Sequence, residues 1–145
     1  MRRIPLSMIA LSAMTMADFS RSSDGIVTDN TTKLQWQDDY SDNGGSVKSA
    51  LWEDAIDYCE ALTLGGYDDW RLPNFNELYS IVDYTKHNPA IDTTFQAVVS
   101  DTYWSSTSIV SNEDGAWGIS FYGGHDSYWN NKFNSSYYVR CVRGE

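Results

Sequence analysis

Apolar and polar positions repeat with two different periods along this chain. Between residues 52 and 62, Trp52, Ala55, Ile56, Cys59 and Leu62 fall at helical intervals, while Glu53, Asp54, Asp57 and Glu60 take the opposite face. The pattern predicts a helix capped by Ser49 or a neighbour, with Glu53 and Asp54 beside the positive end of its dipole and Gly65-Gly66 as its stop. A second helix is predicted after Trp70-Arg71-Leu72-Pro73. There Asn74 and Glu77 have capping-box spacing, and Phe75, Leu78, Ile81 and Val82 form the apolar stripe.

Outside this middle region the period shortens to two. Residues 26–36 read as two short strands around the turn Asp29-Asn30-Thr31, with Val27, Leu34 and Trp36 as their apolar positions. Strand-like runs return at 103–107, 116–122 and 137–143. In the last of them Tyr137, Val139 and Cys141 alternate against Tyr138, Arg140 and Val142. Residues 38–46, with Gly44-Gly45, read as a polar loop, and 85–102 as an irregular segment pinned to the core by Pro89, Ile91, Phe95, Val98 and Val99. Strands, two helices and strands again imply an α+β domain with a twisted antiparallel sheet. No internal repeat or linker divides it, so one domain is expected over 25–145, after a short segment at 18–24.

Residues 1–17 have the layout of an export signal. Arg2 and Arg3 precede a mostly apolar stretch, and Thr15-Met16-Ala17 offers a small-x-small step for cleavage before Asp18. No second apolar run is long enough to span a bilayer. The expected location is therefore secreted, periplasmic or on the cell surface. The formal net charge of −10 becomes more negative once Arg2 and Arg3 are removed. Such a surface repels nucleic acid and anionic lipid unless a local basic patch overrides the field, and the expected partner, an extracellular glycan or protein, is read from the aromatic segment at 123–138.

Two cysteines in one small exported domain are expected to pair. A Cys59–Cys141 bridge would close a loop of about 80 residues, for which the chain-entropy model gives roughly 4–5 kcal/mol. Two free buried thiols, or a catalytic cysteine, are the alternatives. No CxxC or Cys/His spacing suited to zinc is present.

The segment 123–138 is the candidate ligand-facing surface, read as a loop. Its aromatic, Asn and Ser residues with almost no aliphatic side chain resemble antibody loops, where rigid rings supply contact area and amides adapt their hydrogen bonds. The candidate binding residues are Tyr122, His125, Asp126, Tyr128, Trp129, Asn130, Asn131, Lys132, Asn134 and Tyr137. The plainer alternative is a hairpin whose rings fold back onto the sheet. No cofactor is expected. Calcium is the one ion to consider, because Asp39, Ser41, Asn43 and Gly44 match the first half of a calcium loop. Position twelve is Ala50, which excludes an EF-hand and leaves a looser site on Asp38, Asp39 or Asp42 beside the plainer reading of a solvated turn. Arg71 is expected to pair structurally with Asp68, Asp69 or backbone carbonyls, and Trp36, Trp52, Trp104 and Trp117 to belong to the core. His87 and His125 are far apart and lack an evident nucleophile.

Taken in order, Gly25-Ile26-Val27-Thr28-Asp29, Leu34-Gln35-Trp36-Gln37, Trp52 with Cys59, Gly65-Gly66-Tyr67, Asp69-Trp70-Arg71-Leu72-Pro73, Tyr103-Trp104-Ser105-Ser106-Thr107 and Tyr138-Val139-Arg140-Cys141-Val142-Arg143 resemble the Lcl C-terminal domain family. The Arg-Leu-Pro-Asn-x-x-Glu run is also similar to formylglycine-generating enzymes and their C-type-lectin-like relatives. The resemblance implies a C-type-lectin-like α+β fold in which a helix is tied by a disulfide to the last strand. It carries no catalytic residue, since the family has no settled activity. The expected function is a noncatalytic binding module. The alternatives are an exported enzyme of hydrolase or formylglycine-generating-oxidase type and a structural envelope component.

Overall fold

The computed structural model describes residues 18–145, and of Tyr128 and Trp129 the backbone alone. The expected export signal lies outside the described residues. Nine short strands and two helices are described: β1 Phe19–Arg21, β2 Ile26–Asp29, β3 Gln35–Gln37, β4 Ser49–Ala50, α1 Trp52–Ala61, α2 Phe75–Tyr79, β5 Thr102–Ile109, β6 Asn112–Ser120, β7 His125–Asn131, β8 Tyr137–Tyr138 and β9 Val142–Arg143. They build two sheets, of order β1-β2-β3-β9 and β4-β8-β5-β6-β7, antiparallel except where β5 meets β8. The α+β expectation holds, with two sheets in place of one.

The closing run is where the sheets separate. β8 belongs to the second sheet and β9 to the first, so the predicted continuous strand breaks over 139–141 as the chain crosses between them. Its alternation nevertheless sorts the side chains. Val139 and Cys141 enter a core cluster with Ala55, Leu62, Trp70 and Trp104, against which Tyr137 packs. Val142 enters the other, with Val27, Trp36, Leu78, Ile119 and Phe121, and Tyr138 packs there. This one segment is the seam of the molecule, apolar on both sides, which is why period two survives without a single strand.

Each cluster is anchored to the seam differently. Cys59 of α1 is disulfide-bonded to Cys141, with Cα atoms 5.5 Å apart. On the other side, the Arg140 guanidinium is buried and donates to Asp38 Oδ1 at 3.1 Å, to the Gln37 carbonyl at 2.6 Å and to the Ala97 carbonyl at 2.6 Å. Asp38 also accepts from Arg21 and from the backbone N–H groups of Gln96 and Ala97. The expectation of a solvated 38–46 loop therefore fails at its first residue. Asp38 is buried because four donors satisfy its charge, which a local polarity reading cannot foresee.

The helices show what local rules settle. In α2 the Asn74 side chain accepts from Glu77 N–H at 2.8 Å and the Glu77 carboxylate accepts from Asn74 N–H at 3.0 Å, the capping box that the spacing predicts. α2 is only five residues long, and Ile81 and Val82 follow it in turns while still facing the second cluster. Ser49 does not cap α1. It lies in β4, paired with Tyr138, and Leu51 holds the uncapped N-cap position. α1 ends at Ala61, before Gly65, because Leu62 turns extended and buries in the first cluster.

Candidate functional site

The segment expected as a loop contains β7, the outer strand of the second sheet, joined to β6 by the turn at 121–124. Its polar composition concealed a strand that covers only one edge and one face. The β6 partner of Asn130 is Ala116 and that of Ser127 is Gly118, so Tyr128 and Trp129 together stand opposite Trp117 in a β-bulge. Asn130 closes the bulge. It is buried, its amide donates to the carbonyls of Ser127 at 2.8 Å and Ala116 at 3.1 Å, and its oxygen accepts from Ser127 Oγ.

The remaining candidates divide by environment. Tyr122, His125, Asp126 and Asn134 are exposed. Asn131 is half-buried and its side-chain oxygen accepts from the N–H groups of Phe133 and Asn134, shaping the next turn. Lys132 donates to Ser108 Oγ at 2.7 Å and lies 4.0 Å from the centre of the Trp52 ring. Tyr137 packs edge-on against Trp104 in the first cluster. Asn130, Asn131, Lys132 and Tyr137 thus have their polar or aromatic groups engaged by the domain itself.

The β6–β7 turn instead meets residues that the sequence reading passed over. Tyr79 and Tyr84 are 43 % and 62 % exposed, and Tyr122 is 49 % exposed. Phe75 stacks on Tyr79 at 5.6 Å and meets Trp117 at a tilt at 5.5 Å, and Tyr79 meets Tyr84 edge-on at 6.0 Å. His87 packs against Tyr122 at 4.7 Å. The backbone fixes the junction: Asn88 N–H donates to the Tyr122 carbonyl at 2.8 Å and Ala90 N–H to the Phe121 carbonyl at 2.7 Å. Gly124, at φ 82°, lies so close that an added Cβ would stand 2.7 Å from a Val82 methyl. Desolvation, the neighbouring Tyr79 hydroxyl and the charge of Asp126 push the Tyr84 phenol up to about 12. The available signal was Tyr79, outside the apolar stripe formed by Phe75, Leu78, Ile81 and Val82, and Tyr84 in the polar stretch just beyond it.

Beside His87 an open groove of about 560 Å³ runs over the 86–98 segment, with Pro89, Ile91, Phe95 and Val98 among its lining residues. Phe95 is held by Phe19 edge-on at 5.4 Å and by the Arg140 guanidinium at 5.0 Å. The buried ion pair thus sets the wall of the groove.

Other candidates resolve as framework. Arg71 donates two parallel hydrogen bonds to Glu77, at 2.7 and 2.8 Å, and a third to the Gly144 carbonyl. Its carboxylate partner is Glu77 in place of Asp68 or Asp69, because the capping box has already aimed that carboxylate at the turn. Asp69 pairs with Arg143. Burial alone would raise the Glu77 carboxyl, but Arg71 and the Asn74 N–H hold it below the usual carboxylate range. Asp39 accepts from Ser41 and Asp42 from the Tyr58 hydroxyl, while Asp38 is fully engaged; among the described residues no three His, Cys, Asp or Glu side chains converge on a metal position. Trp36 and Trp104 are fully buried, whereas Trp52 and Trp117 are half-exposed. Cys59 and Cys141 have no exposed surface. Among the described residues no helix is long and apolar enough to cross a membrane, and the disulfide suits an oxidising compartment.

Fold and site define a disulfide-braced α+β domain whose distinctive surface is aromatic. A family model of the Lcl C-terminal domain matches residues 25–143, and the chain belongs to that family, a domain of unknown function. A search of curated proteins returns no match.

Proposed function

We propose that this domain is an exported, noncatalytic module that binds an extracellular glycan or protein through the aromatic surface around the β6–β7 turn. The observation that carries the reading is two partly exposed aromatic pairs, Tyr79 with Tyr84 and His87 with Tyr122, flanking a junction in which Asn88 and Ala90 N–H groups bond the Tyr122 and Phe121 carbonyls. Solvent-facing tyrosines on a rigid support offer contact area at little entropic cost. The exposed part of the expected surface, Tyr122, His125 and Asp126, adjoins this junction, and the bulge at Tyr128-Trp129 lies farther along the same strand. The buried, bonded cysteines weigh against an oxidase role, which needs them reduced and open to solvent. The test is a glycan array together with a pull-down, comparing the mature chain with the double variant Tyr84→Ala, Tyr122→Ala. Loss of binding with an unchanged circular dichroism spectrum is the expected result; binding equal to that of the parent chain rejects this face.

A further inference from the structure

The turn that follows the buried Asp38 holds Asn43-Gly44, the one asparagine of the sequence with glycine directly behind it. Such a pair can react with itself. The peptide nitrogen of Gly44 attacks Cγ of Asn43, the new N–Cγ bond closes a succinimide ring, and the side-chain nitrogen leaves as ammonia, taking the peptide proton. Water then opens the ring at either carbonyl and leaves aspartate or isoaspartate. Water is the only co-reactant the balance needs.

The structure leaves this reaction room. Gly44 and Gly45 are exposed, and a Cβ built at either would meet nothing within 4 Å, so the chain is free to rotate into the ring-closing geometry. Gly44, at φ 69°, also has no side chain to shield its own nitrogen. Asn43 ends the short helical turn Ser41–Asn43, and its amide donates to the Ser46 carbonyl at 2.9 Å across the surface. A hydrogen bond of this kind has a small net worth, so it slows the attack by no more than about tenfold.

The same bond sets the consequence. Asn43 and Ser46 are joined twice, because Ser46 N–H donates to the Asn43 carbonyl at 3.3 Å while the Asn43 amide returns a bond to the Ser46 carbonyl. Asn43 and Gly45 N–H groups both donate to the Tyr40 carbonyl, at 2.8 and 2.9 Å. A carboxylate at 43 cannot donate. Its negative oxygen would face the Ser46 carbonyl, in a turn that already carries Asp39 and Asp42 on a chain of charge −10. Isoaspartate also routes the backbone through Cβ and displaces the carbonyl that Ser46 N–H uses. We propose that Asn43-Gly44 is a self-modifying site whose conversion to aspartate or isoaspartate adds a negative charge beside Asp42 and opens the 40–46 turn.

The test ages the mature chain at neutral and mildly alkaline pH and follows Asn43, Asn131 and Asn134 by peptide mapping, with enzymatic methyl labelling to read isoaspartate. Asn43 is expected to convert well ahead of the other two, and faster in alkali, where the attacking nitrogen loses its proton more readily. Its rate should lie within about tenfold of the rate in urea-unfolded chain. Asn43→Gln, which would have to close a larger ring, should stay unconverted. In amide exchange Asn43→Asp should speed Gly45 and Ser46 and leave Leu78 of α2 as it was. Conversion of Asn134 before Asn43, or a folded-state retardation of about a hundredfold or more, overturns the modification site. Parental exchange at Gly45 and Ser46 in Asn43→Asp overturns the opening of the turn, and so does loss of protection at Leu78, which would report general unfolding.

Discussion

The two halves of the core meet the same seam but are fastened by opposite chemistry. The half around α1 is joined to Cys141 by a covalent bond, whereas the half around Trp36 and Phe121 meets Arg140, a buried charge neutralised by Asp38. A disulfide acts mainly by restricting the unfolded chain and specifies little about its surroundings. A buried ion pair costs desolvation and is repaid only when every donor and acceptor has its place. Here those places include the backbone of Gln96 and Ala97, the wall of the groove. The difference teaches that the first fastening secures the fold and the second shapes a surface.

The largest expected effect comes from removing the bridge. Cys59→Ala with Cys141→Ala should lower stability by about 4–5 kcal/mol in the entropy model, read by urea denaturation. Amide exchange should then rise first in α1; earlier loss in β2 and β3 would contradict the division of labour. Arg140→Ala leaves the Asp38 carboxylate buried without its main partner and should cost about 3–5 kcal/mol. Its mark is faster exchange at Gln96 and Ala97. The companion variant Arg140→Met with Asp38→Leu should recover much of the stability without restoring that protection, and full recovery of both would remove the shaping role.

Acid should act on a third fastening. Glu77, Asp83 and Asp69 all have carboxyls held below their usual range: Glu77 by Arg71 against the opposing effect of burial, Asp83 by Thr85, and Asp69 by Arg143. Since the unfolded chain takes up protons first, their contribution is complete above about pH 4–5 and is lost as pH falls through the lower folded values. Thermal midpoints measured from neutral pH downward should drop in that window, and Glu77→Gln should flatten the dependence. A midpoint that rises on acidification contradicts the assignment. The smallest effect is expected at Tyr84→Phe, which keeps the ring and should move stability by no more than about 0.5 kcal/mol. It sharpens the comparison by separating the phenol hydroxyl from the ring face in ligand titrations.

What could be read ahead of the structure was chemistry confined to a few consecutive residues. Asn74 and Glu77 form their box because both partners lie within one turn. The turn after Asp29 forms because its side chain accepts from the Thr31 and Thr32 N–H groups. The same local reasoning failed where a distant segment competed for the residue. Ser49 went to β8 instead of capping α1, and Asp38 left the solvent for Arg140. At the candidate site Tyr122, His125 and Asp126 were legible as exposed polar and aromatic positions, but the burial of Asn130 and the meeting of Tyr84 with the β6–β7 turn were not.

By itself the sequence determined the α+β class, both helical starts to within a residue or two, the pairing of the cysteines and the period-two alternation of the closing run. These follow from side-chain period, capping spacing and the scarcity of partners for sulfur. Only the tertiary structure decided that the closing run divides between two sheets, that 123–138 holds a bulged outer strand, and that His87 packs on Tyr122. Each of these depends on which backbone and side chains arrive from tens of residues away, and hydrogen-bond satisfaction and close packing, neither visible in a local window, choose among the arrivals.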